Sequence, residues 1–337
     1  MSTIQATNIK SAASVSNNIV LDASGNATFA GTAAMASSFL RNRIINGNMA
    51  IRQRGTSFTA TAGTAIYTAD RWLVFATGAS CSVSTPSDLG LAGFPTGLLA
   101  TGATGNTVLN FAQRIESVNI LDLANQTVTI SGWLFSTATV TPTLSLTTPN
   151  AVDNYSSETA VGSVPALPSV PANTWTRFAV SVALPAAAAN GLQVVVAWGA
   201  TGAGVNRYLT GVQLEVGTAA TPFERRQYGQ ELSLCQRYYY RNDALTYFNG
   251  NSGNSTVARG GAKFGVTMRA TPAITVFAGS NLGSTVGNAY VSNTNSITPI
   301  NFVSTITTDG FDSIGNTGNL PSTSFVYAVS FTASAEI

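Results

Sequence analysis

Between residues 40 and 225, short segments of alternating apolar and polar residues follow one another, and this pattern restricts the fold more than any other feature. Each segment ends at a cluster of glycine, proline or asparagine. In QTVTISGWLFS, Val128 and Ile130 alternate with hydroxyl side chains, as in a strand that turns one face toward a core. Many such strands, with almost no helical periodicity, predict an antiparallel β-sandwich or barrel.

Both ends of the chain carry the same type of signal. NIVLDASGNATFAG predicts two strands joined by a tight turn at Ser24, Gly25 and Asn26. An isolated hairpin is not stable in water, so neighbouring copies of the chain are its expected support. Residues 242–337 form a second β region, and its last segment, SFVYAVSFTASAEI, alternates large and small residues as a half-buried strand does.

Residues 221–240 interrupt the strand pattern and predict a helix. Thr221 and Glu224 have the spacing of a capping box, while Gly229 weakens the middle, so a start at about Gln230 is the alternative. Four side chains follow at helical spacing and form one stripe, which needs a packing partner. The predicted subunit-interface residues are Tyr228, Leu232, Cys235 and Tyr239.

Charge is scarce in this chain, because only 9% of its residues are charged while 45% are hydrophobic. This balance is typical of an oligomeric β structural protein, whose surface is buried or neutral. Of the 16 basic residues all but Lys10 and Lys263 are arginine, which favours bidentate pairing, including pairing at interfaces. No basic block occurs that is long enough to predict nucleic-acid binding.

Histidine is absent, which excludes Ser-His-Asp and Cys-His nucleophiles and histidine-ligated metals. The cysteines, Cys81 and Cys235, lie far apart in the sequence and are predicted to be buried thiols. No cofactor is expected. The first residues lack the apolar region of a signal peptide, and no run of about 18 apolar residues occurs, so we expect synthesis in the cytoplasm without membrane insertion.

Each of the four tryptophans falls in a strand segment. They are Trp72, Trp133, Trp175 and Trp198. Packing in the sandwich core is the simpler interpretation of each, and stacking on a sugar ring is the alternative. Tyr238, Tyr239 and Tyr240 cannot share one face of a helix, so we expect at least one at the surface or an interface.

Arg71 and Arg114 each lie beside an acidic residue and are predicted to hold loops through bidentate hydrogen bonds. Asp309 and Asp312, in DGFDS, fit turn chemistry, with a metal site as the alternative. Because paired carboxylates hydrolyse glycosides without histidine, glycan depolymerase activity is also kept as an alternative.

Four segments, in this order, resemble a family of bacteriophage tail-fibre and receptor-binding proteins that has members in cyanophages and prophages. They are LRNRIINGNMAIRQRGTSF at 40–58, YTADRW at 67–72, GVQLEVGTAATPFE at 211–224 and ELSLCQRYYYR at 231–241. The resemblance covers about residues 40–241, and it implies that the motif residues are mainly structural. These residues are Arg43, Asn46, Gly47, Gln53, Arg54, Asp70, Arg71, Trp72, Gln213, Glu215, Pro222, Phe223 and Glu224.

Together with the strand pattern, the resemblance implies a mainly β fold. We expect an antiparallel jelly-roll-like β-sandwich, akin to carbohydrate-binding modules, plus a smaller C-terminal β domain joined by a short helix, after an extended N-terminal segment. The predicted boundaries are 1–39 for the attachment or stem segment, 40–225 for the sandwich, 226–241 for the joining helix and 242–337 for the C-terminal β tip.

The resemblance also implies a virion component of the phage tail, not an enzyme: a homotrimeric tail fibre that binds host-surface glycans without cleaving them. The expected partners are its own copies, other tail or baseplate proteins through residues 1–39, and host polysaccharide. No residue is assigned to the glycan at this point. The alternatives are a capsid-decorating or head-fibre protein and a tailspike depolymerase.

Overall fold

The computed structural model describes residues 8–9, 19–21, 27–29, 41–251, 254–278, 287–292, 296–318, 320 and 325–337. The chain divides into two compact units, 1–41 and 42–337. In the first unit three short strands pair antiparallel in chain order: β1 (Asn8–Ile9), β2 (Ile19–Leu21) and β3 (Ala27–Phe29). The predicted pairing of β2 with β3 is confirmed, and the predicted turn between them lies outside the described residues.

Twelve strands of the second unit form two six-stranded antiparallel sheets that face each other. They are β4 (Ser57–Ala60), β5 (Ile66–Tyr67), β6 (Leu73–Thr77), β7 (Cys81–Ser84), β8 (Leu98–Thr101), β9 (Val108–Ile115), β10 (Thr127–Ser136), β11 (Thr143–Ala151), β12 (Asn154–Ala160), β13 (Thr176–Ala183), β14 (Leu192–Ala197) and β15 (Asn206–Val216). The first sheet has the order β13-β10-β15-β8-β7-β4 and the second β12-β11-β14-β9-β6-β5. Most connections cross between the sheets, so the predicted jelly-roll-like sandwich is confirmed.

The space between the two sheets is filled by the apolar side chains of the alternating segments. Val128 and Ile130 are fully buried there, as the alternation in β10 predicts. Trp72 and Trp198 also lie in this core, and the ring of Trp198 meets that of Phe111 edge-on at 6.1 Å. Burial of these faces is the main favourable term in the folding of this part of the chain.

The second β region folds as one antiparallel sheet of eight strands. They are β16 (Tyr239–Asn251), β17 (Asn254–Lys263), β18 (Ala273–Phe277), β19 (Asn288–Val291), β20 (Ser296–Pro299), β21 (Phe302–Ser304), β22 (Gly310–Gly315) and β23 (Val326–Ser334). The order is β20-β19-β23-β16-β17-β22-β21, and β18 pairs with β23 beside β19. Its own core contains stacked and edge-on rings of Phe248, Phe311 and Phe331.

Among the described residues one α-helix is present, α1 (Tyr228–Gln236), and it begins later than the capping-box spacing predicts. The Thr221 hydroxyl donates to the Glu215 carboxylate at 2.6 Å, and the Glu224 carboxylate accepts the Asn42 backbone N–H at 2.8 Å. Both polar side chains are therefore used by the sandwich and cap no helix. The predicted joining helix at 226–241 is correspondingly too long.

The same helix also ends early, so the predicted stripe of four residues does not lie on one helix. Tyr239 is the first residue of β16 and pairs with Ser334 of β23. Here the chain pairs with the distant strand β23 and does not continue the helix. The sheet provides hydrogen-bond partners for backbone N–H and C=O groups that a helix end leaves unpaired. The proposed division into four segments otherwise stays a prediction.

A small apolar cluster lies between α1 and the sandwich. It contains Ile45, Ile51, Cys235 and Tyr238 as buried members, with Leu232, Leu234 and Ile337 packed around them. Cys235 is fully buried in this cluster, and Cys81 is fully buried in the sandwich core. The prediction of two buried thiols is confirmed, since neither cysteine forms a disulfide.

Both thiols are expected to resist a thiol reagent such as Ellman's reagent in the native protein. Burial raises the pKa of Cys81 and raises that of Cys235 well above its usual value, so the reactive thiolate is scarce as well as inaccessible. Labelling in native buffer should be at least about a thousandfold slower than in urea, because it requires unfolding. A native reaction at the free-thiol rate would contradict the burial of that cysteine.

Candidate functional site

The outer face of the first sandwich sheet carries a row of aromatic side chains. Trp133 and Phe135 flank Leu134 on β10, and because Leu134 points into the core, its two neighbours point outward. Across the sheet, Phe135 lies opposite Tyr208 of β15, and Trp133 lies opposite Arg177 of β13. The strand register therefore places three aromatic rings and one guanidinium on the same outer surface.

At one end of this row the rings form a cluster around a cavity of about 100 Å³. Phe135 contacts Trp175 at 5.2 Å and Tyr208 at 5.2 Å between ring centroids. The indole N–H of Trp175 donates to the backbone oxygen of Leu89 at 3.2 Å, which fixes the orientation of the ring. Asp88, on the same loop as Leu89, also lines the cavity.

A larger cavity of about 300 Å³ opens on the same face, beside Trp133 and Arg177. Its other wall is formed by Phe94 and Phe223, whose rings meet edge-on at 5.3 Å. The volume lies at the lower end of the range for small-molecule sites. We call the two neighbouring cavities the aromatic groove, lined by Asp88, Leu89, Phe94, Ser131, Trp133, Phe135, Trp175, Arg177, Tyr208, Thr221, Pro222 and Phe223.

A β-bulge in β15 makes room for the groove. Between Ser131 and Trp133 the pairing with β15 slips by one residue, and Gly211 takes a φ of +62°. A Cβ atom on Gly211 would lie 2.6 Å from the ring of Phe94. Both the backbone angle and the closeness of the ring therefore require glycine at this position.

The segment that carries Phe223 is held against β15 by two buried side chains of that strand, Gln213 and Glu215. Gln213 donates to Glu215 at 2.7 Å and accepts the Glu224 backbone N–H at 2.7 Å. Glu215 in turn accepts the backbone N–H of Thr221 at 2.9 Å and its hydroxyl at 2.6 Å. The two side chains thus have a structural part in the groove, since they place the wall that contains Phe223.

The groove has a positive and an aromatic character at its larger end. Arg225 lies over the rings of Phe94 and Phe223, with its guanidinium carbon 4.9 and 5.6 Å from their centroids. Arg177 is exposed and lines the cavity. Asp88, at the smaller end, is the one carboxylate among the lining residues of the groove.

A second polar cluster lies away from the groove, where the sandwich meets residues 335–337. Arg54 pairs with Glu336 at 2.8 Å and lies 3.6 Å from the ring centroid of Tyr239. Arg71 also pairs with Glu336 and lies 3.6 Å from the ring centroid of Tyr238. We call Arg54, Arg71 and Glu336 the arginine clamp. Arg71 holds loops in place as predicted, but its two terminal nitrogens bind two different groups and form no bidentate pair.

Residues of the first two resemblance segments form further hydrogen bonds around the arginine clamp. Arg71 donates to the backbone oxygen of Arg114 at 2.6 Å, and Gln53 donates to the Asp70 carboxylate and to the Tyr239 backbone oxygen. Burial raises the pKa of Asp70, against the opposing effect of the Gln53 hydrogen bonds and of the two arginine charges. Burial also lowers the pKa of Arg54, and the Asp70 charge partly restores it.

The predicted subunit-interface residues occupy different environments. Tyr228 is 67% exposed, and Leu232 is half-buried against the small apolar cluster. Cys235 and Tyr239 are buried within the same chain. Their assignment to a subunit interface stays a prediction, and within it Tyr228 offers the largest free surface.

The core interpretation of the tryptophans is right for Trp72 and Trp198 and wrong for Trp133 and Trp175, which are half-buried on the outer face. Sequence reasoning also missed Phe135, Tyr208, Phe94, Phe223 and Arg177 as groove residues. A signal existed for two of them, because Phe135 and Tyr208 alternate with the core residues Leu134 and Leu209. No signal placed the two loop phenylalanines there, because they come from separate loops.

Within the part of the chain that the structure describes, no three acidic or cysteine side chains lie close enough to share a metal ion. Asp309 accepts a hydrogen bond from the Thr267 hydroxyl at 2.6 Å, next to a turn between Thr307 and Gly310. No helix in the described ranges has both the length and the apolar character needed to cross a bilayer.

Comparisons with known proteins give partial likenesses of the sandwich. No family profile and no curated protein sequence matches the chain. The enzymatically active domain of tailspike protein 4 from bacteriophage CBA120 matches 54% of this chain and 22% of its own length, at 18% identity and a TM-score of 0.37. The CBM22-1 xylan-binding domain of Paenibacillus barcinonensis Xyn10C matches 48% of this chain and 99% of its own length, at 17% identity and a TM-score of 0.33.

A further likeness is to the CBM22-1 and GH10 modules of Clostridium thermocellum xylanase 10B, crystallised with xylohexaose. They match 52% of this chain and 28% of their own length, at 11% identity and a TM-score of 0.35. This chain thus spans about a fifth of the tailspike domain and less than a third of the xylanase modules. At these identities and TM-scores, the likenesses carry no argument about function.

Proposed function

We propose that this protein is a phage tail fibre that binds host-surface glycans in the aromatic groove without cleaving them. One observation carries the proposal: Trp133, Phe135, Trp175 and Tyr208 lie together on the outer face of a sandwich sheet, beside open cavities. Buried core positions do not explain these rings. Aromatic faces exposed in a groove are suited to the apolar faces of sugar rings.

The lining of the groove supports binding in preference to hydrolysis. Glycosidases of the common types place two carboxylates on either side of the bond that they break. Asp88 is the one carboxylate among the lining residues, and Glu215, which holds the segment that carries Phe223, is hydrogen-bonded to Gln213 and Thr221. A tailspike depolymerase acting in this groove is therefore the less suitable alternative.

Trimer formation would make a weak site effective. A single sugar contact with a dissociation constant of about 1 mM corresponds to roughly −4 kcal/mol. Three copies on one axis would raise the effective concentration of the second and third sites. Tyr228 is the exposed residue that we propose for this contact between copies, and sedimentation that gives only a monomer would contradict the trimer.

Replacing Trp133 with Ala is expected to weaken glycan binding by at least about tenfold, since one of the two indole rings of the groove is lost. The experiment screens the purified protein on an array of bacterial surface polysaccharides and then measures the affinity of the best binder by calorimetry. Because Trp133 lies on the outer face and outside the core, circular dichroism should stay unchanged.

The matched control is Tyr247→Ala, which removes an aromatic side chain that is 57% exposed on β16 and outside the groove. It should bind like the unchanged protein. Equal binding by the Trp133 variant would contradict the assignment of the groove. Release of shortened oligosaccharides would support the depolymerase instead, and normal adsorption by virions that lack the protein would favour the capsid-decorating or head-fibre alternative.

A further inference from the structure

Arg177 stands out among the arginines of this chain. Of the 14 arginines, Arg177 and Arg259 are the two whose side chains have no hydrogen bond, ion pair or ring contact within the part of the chain that the structure describes. Arg259 lies on β17 of the other sheet, whereas Arg177 lines the larger cavity of the aromatic groove. The guanidinium of Arg177 is therefore available to a ligand in the aromatic groove, whereas most other arginines of the chain are bonded within it.

The charge around this cavity is one-sided. None of its lining residues is acidic, and the nearby carboxylate of Glu215 is occupied by hydrogen bonds from Gln213 and from Thr221. Arg225 adds a second guanidinium at the Phe94–Phe223 wall. A neutral sugar would leave this positive potential without a counterpart, whereas an anionic one would neutralise it.

The floor of the cavity offers a further polar group. Ser131 is 4% exposed and lines the cavity, and its hydroxyl has no hydrogen-bond partner among the described residues. Because a serine hydroxyl can both donate and accept a hydrogen bond, this one is available to a ligand atom that enters the cavity. Ser131 lies two residues before Trp133, on the same face of β10. Trp133 in turn lies opposite Arg177 of β13.

We infer that the larger cavity of the aromatic groove selects an anionic sugar residue, whose carboxylate or sulfate pairs with Arg177 while its ring stacks on Trp133. This inference rests on the proposed function of the groove. The planar guanidinium presents a fork of N–H donors that matches two oxygens of either anion. The aromatic groove is thereby specific for acidic polysaccharides and discriminates against neutral ones.

The test measures binding of three probes by calorimetry: oligogalacturonides, dextran sulfate fragments and neutral dextran fragments. The unchanged protein should bind one of the two anionic probes at least about tenfold more tightly than neutral dextran. R177M should abolish that preference, and R177K should lose about fivefold or more, since lysine keeps the charge but not the fork. The anionic probe that responds identifies the group, carboxylate or sulfate.

R259M is the matched control, because it removes the other unpaired arginine outside the groove and should keep the preference. The inference is overturned if the unchanged protein binds neutral dextran as tightly as both anionic probes, or if R177M keeps the preference. Binding of neutral glycans that Trp133→Ala abolishes would leave the proposed function standing and overturn only the anionic selectivity. Failure to bind any glycan would overturn both.

Discussion

Replacing Glu336 with Ala is expected to lower the free energy of unfolding by about 3–5 kcal/mol, because it leaves a buried guanidinium without its counter-charge. Arg71 is 1% exposed at its side chain, and Glu336 is 8% exposed. The same substitution removes the partner of Arg54 at 2.8 Å. Urea unfolding followed by tryptophan fluorescence measures the change as a shift of the transition to lower urea.

The control for this variant is Asp243→Ala, which breaks the exposed pair between Arg241 and Asp243. The side chains of that pair are 28% and 54% exposed, so its loss should cost less than about 1 kcal/mol. If the Glu336 variant unfolds at the same urea concentration as this control, the arginine clamp contributes nothing and residues 335–337 are held by other contacts.

Replacing Asn46 with Ala is expected to cost about 3 kcal/mol or more, because one buried amide satisfies three backbone groups. Its Nδ2 donates to the oxygens of Ile51 and Asp70 at 2.9 and 3.0 Å, and its Oδ1 accepts the Ile51 N–H at 3.0 Å. Asn46 is fully buried, so water cannot replace these bonds. Urea unfolding again gives the magnitude.

Asn46 also has a φ of +56°, a conformation that alanine adopts at a cost. This cost to the free energy of unfolding must be separated from the loss of the hydrogen bonds. Asn173 is a matched control, because its φ is +57° and its side chain is exposed, without a hydrogen bond in the described structure. Asn173→Ala should cost about 1–2 kcal/mol, the usual penalty for alanine in this conformation. Equal losses in the two variants would show that the Asn46 amide adds nothing beyond its backbone angle.

The resemblance segments illustrate what sequence patterns convey and what they omit. Gln213, Glu215 and Glu224 were expected to be structural, and each forms buried or part-buried hydrogen bonds that fix the loop before α1. Residues 211–241 contain seven charged side chains, and among them Arg226 pairs with Glu231 of α1 at 3.2 Å. Other charges of this segment reach the sandwich, as when Arg237 donates to Glu116 at 3.0 Å.

The helix shows why a local pattern is insufficient. Thr221 and Glu224 have capping-box spacing, yet Thr221 donates to Glu215 of β15 and Glu224 accepts a hydrogen bond from Asn42, which lies far away in the sequence. Tyr239 continues the helical spacing of the stripe, yet it pairs with Ser334 in a strand. A capping bond and a tertiary bond contribute similar free energies, so the surroundings decide between them.

Apolar and polar alternation was enough to predict the class of the fold, since it depends only on neighbours along the chain. Alternation also placed Val128 and Ile130 on one face of β10, whereas the core interpretation put Trp133 on the wrong face. The packing of the two sheets was needed to show which face of each strand is buried and which faces outward, because β-branched, aromatic and small residues suit both sides of a strand. The aromatic groove was equally beyond the sequence, because Phe94, Trp175 and Phe223 reach it from three loops that only strand order and a bulge at Gly211 bring together.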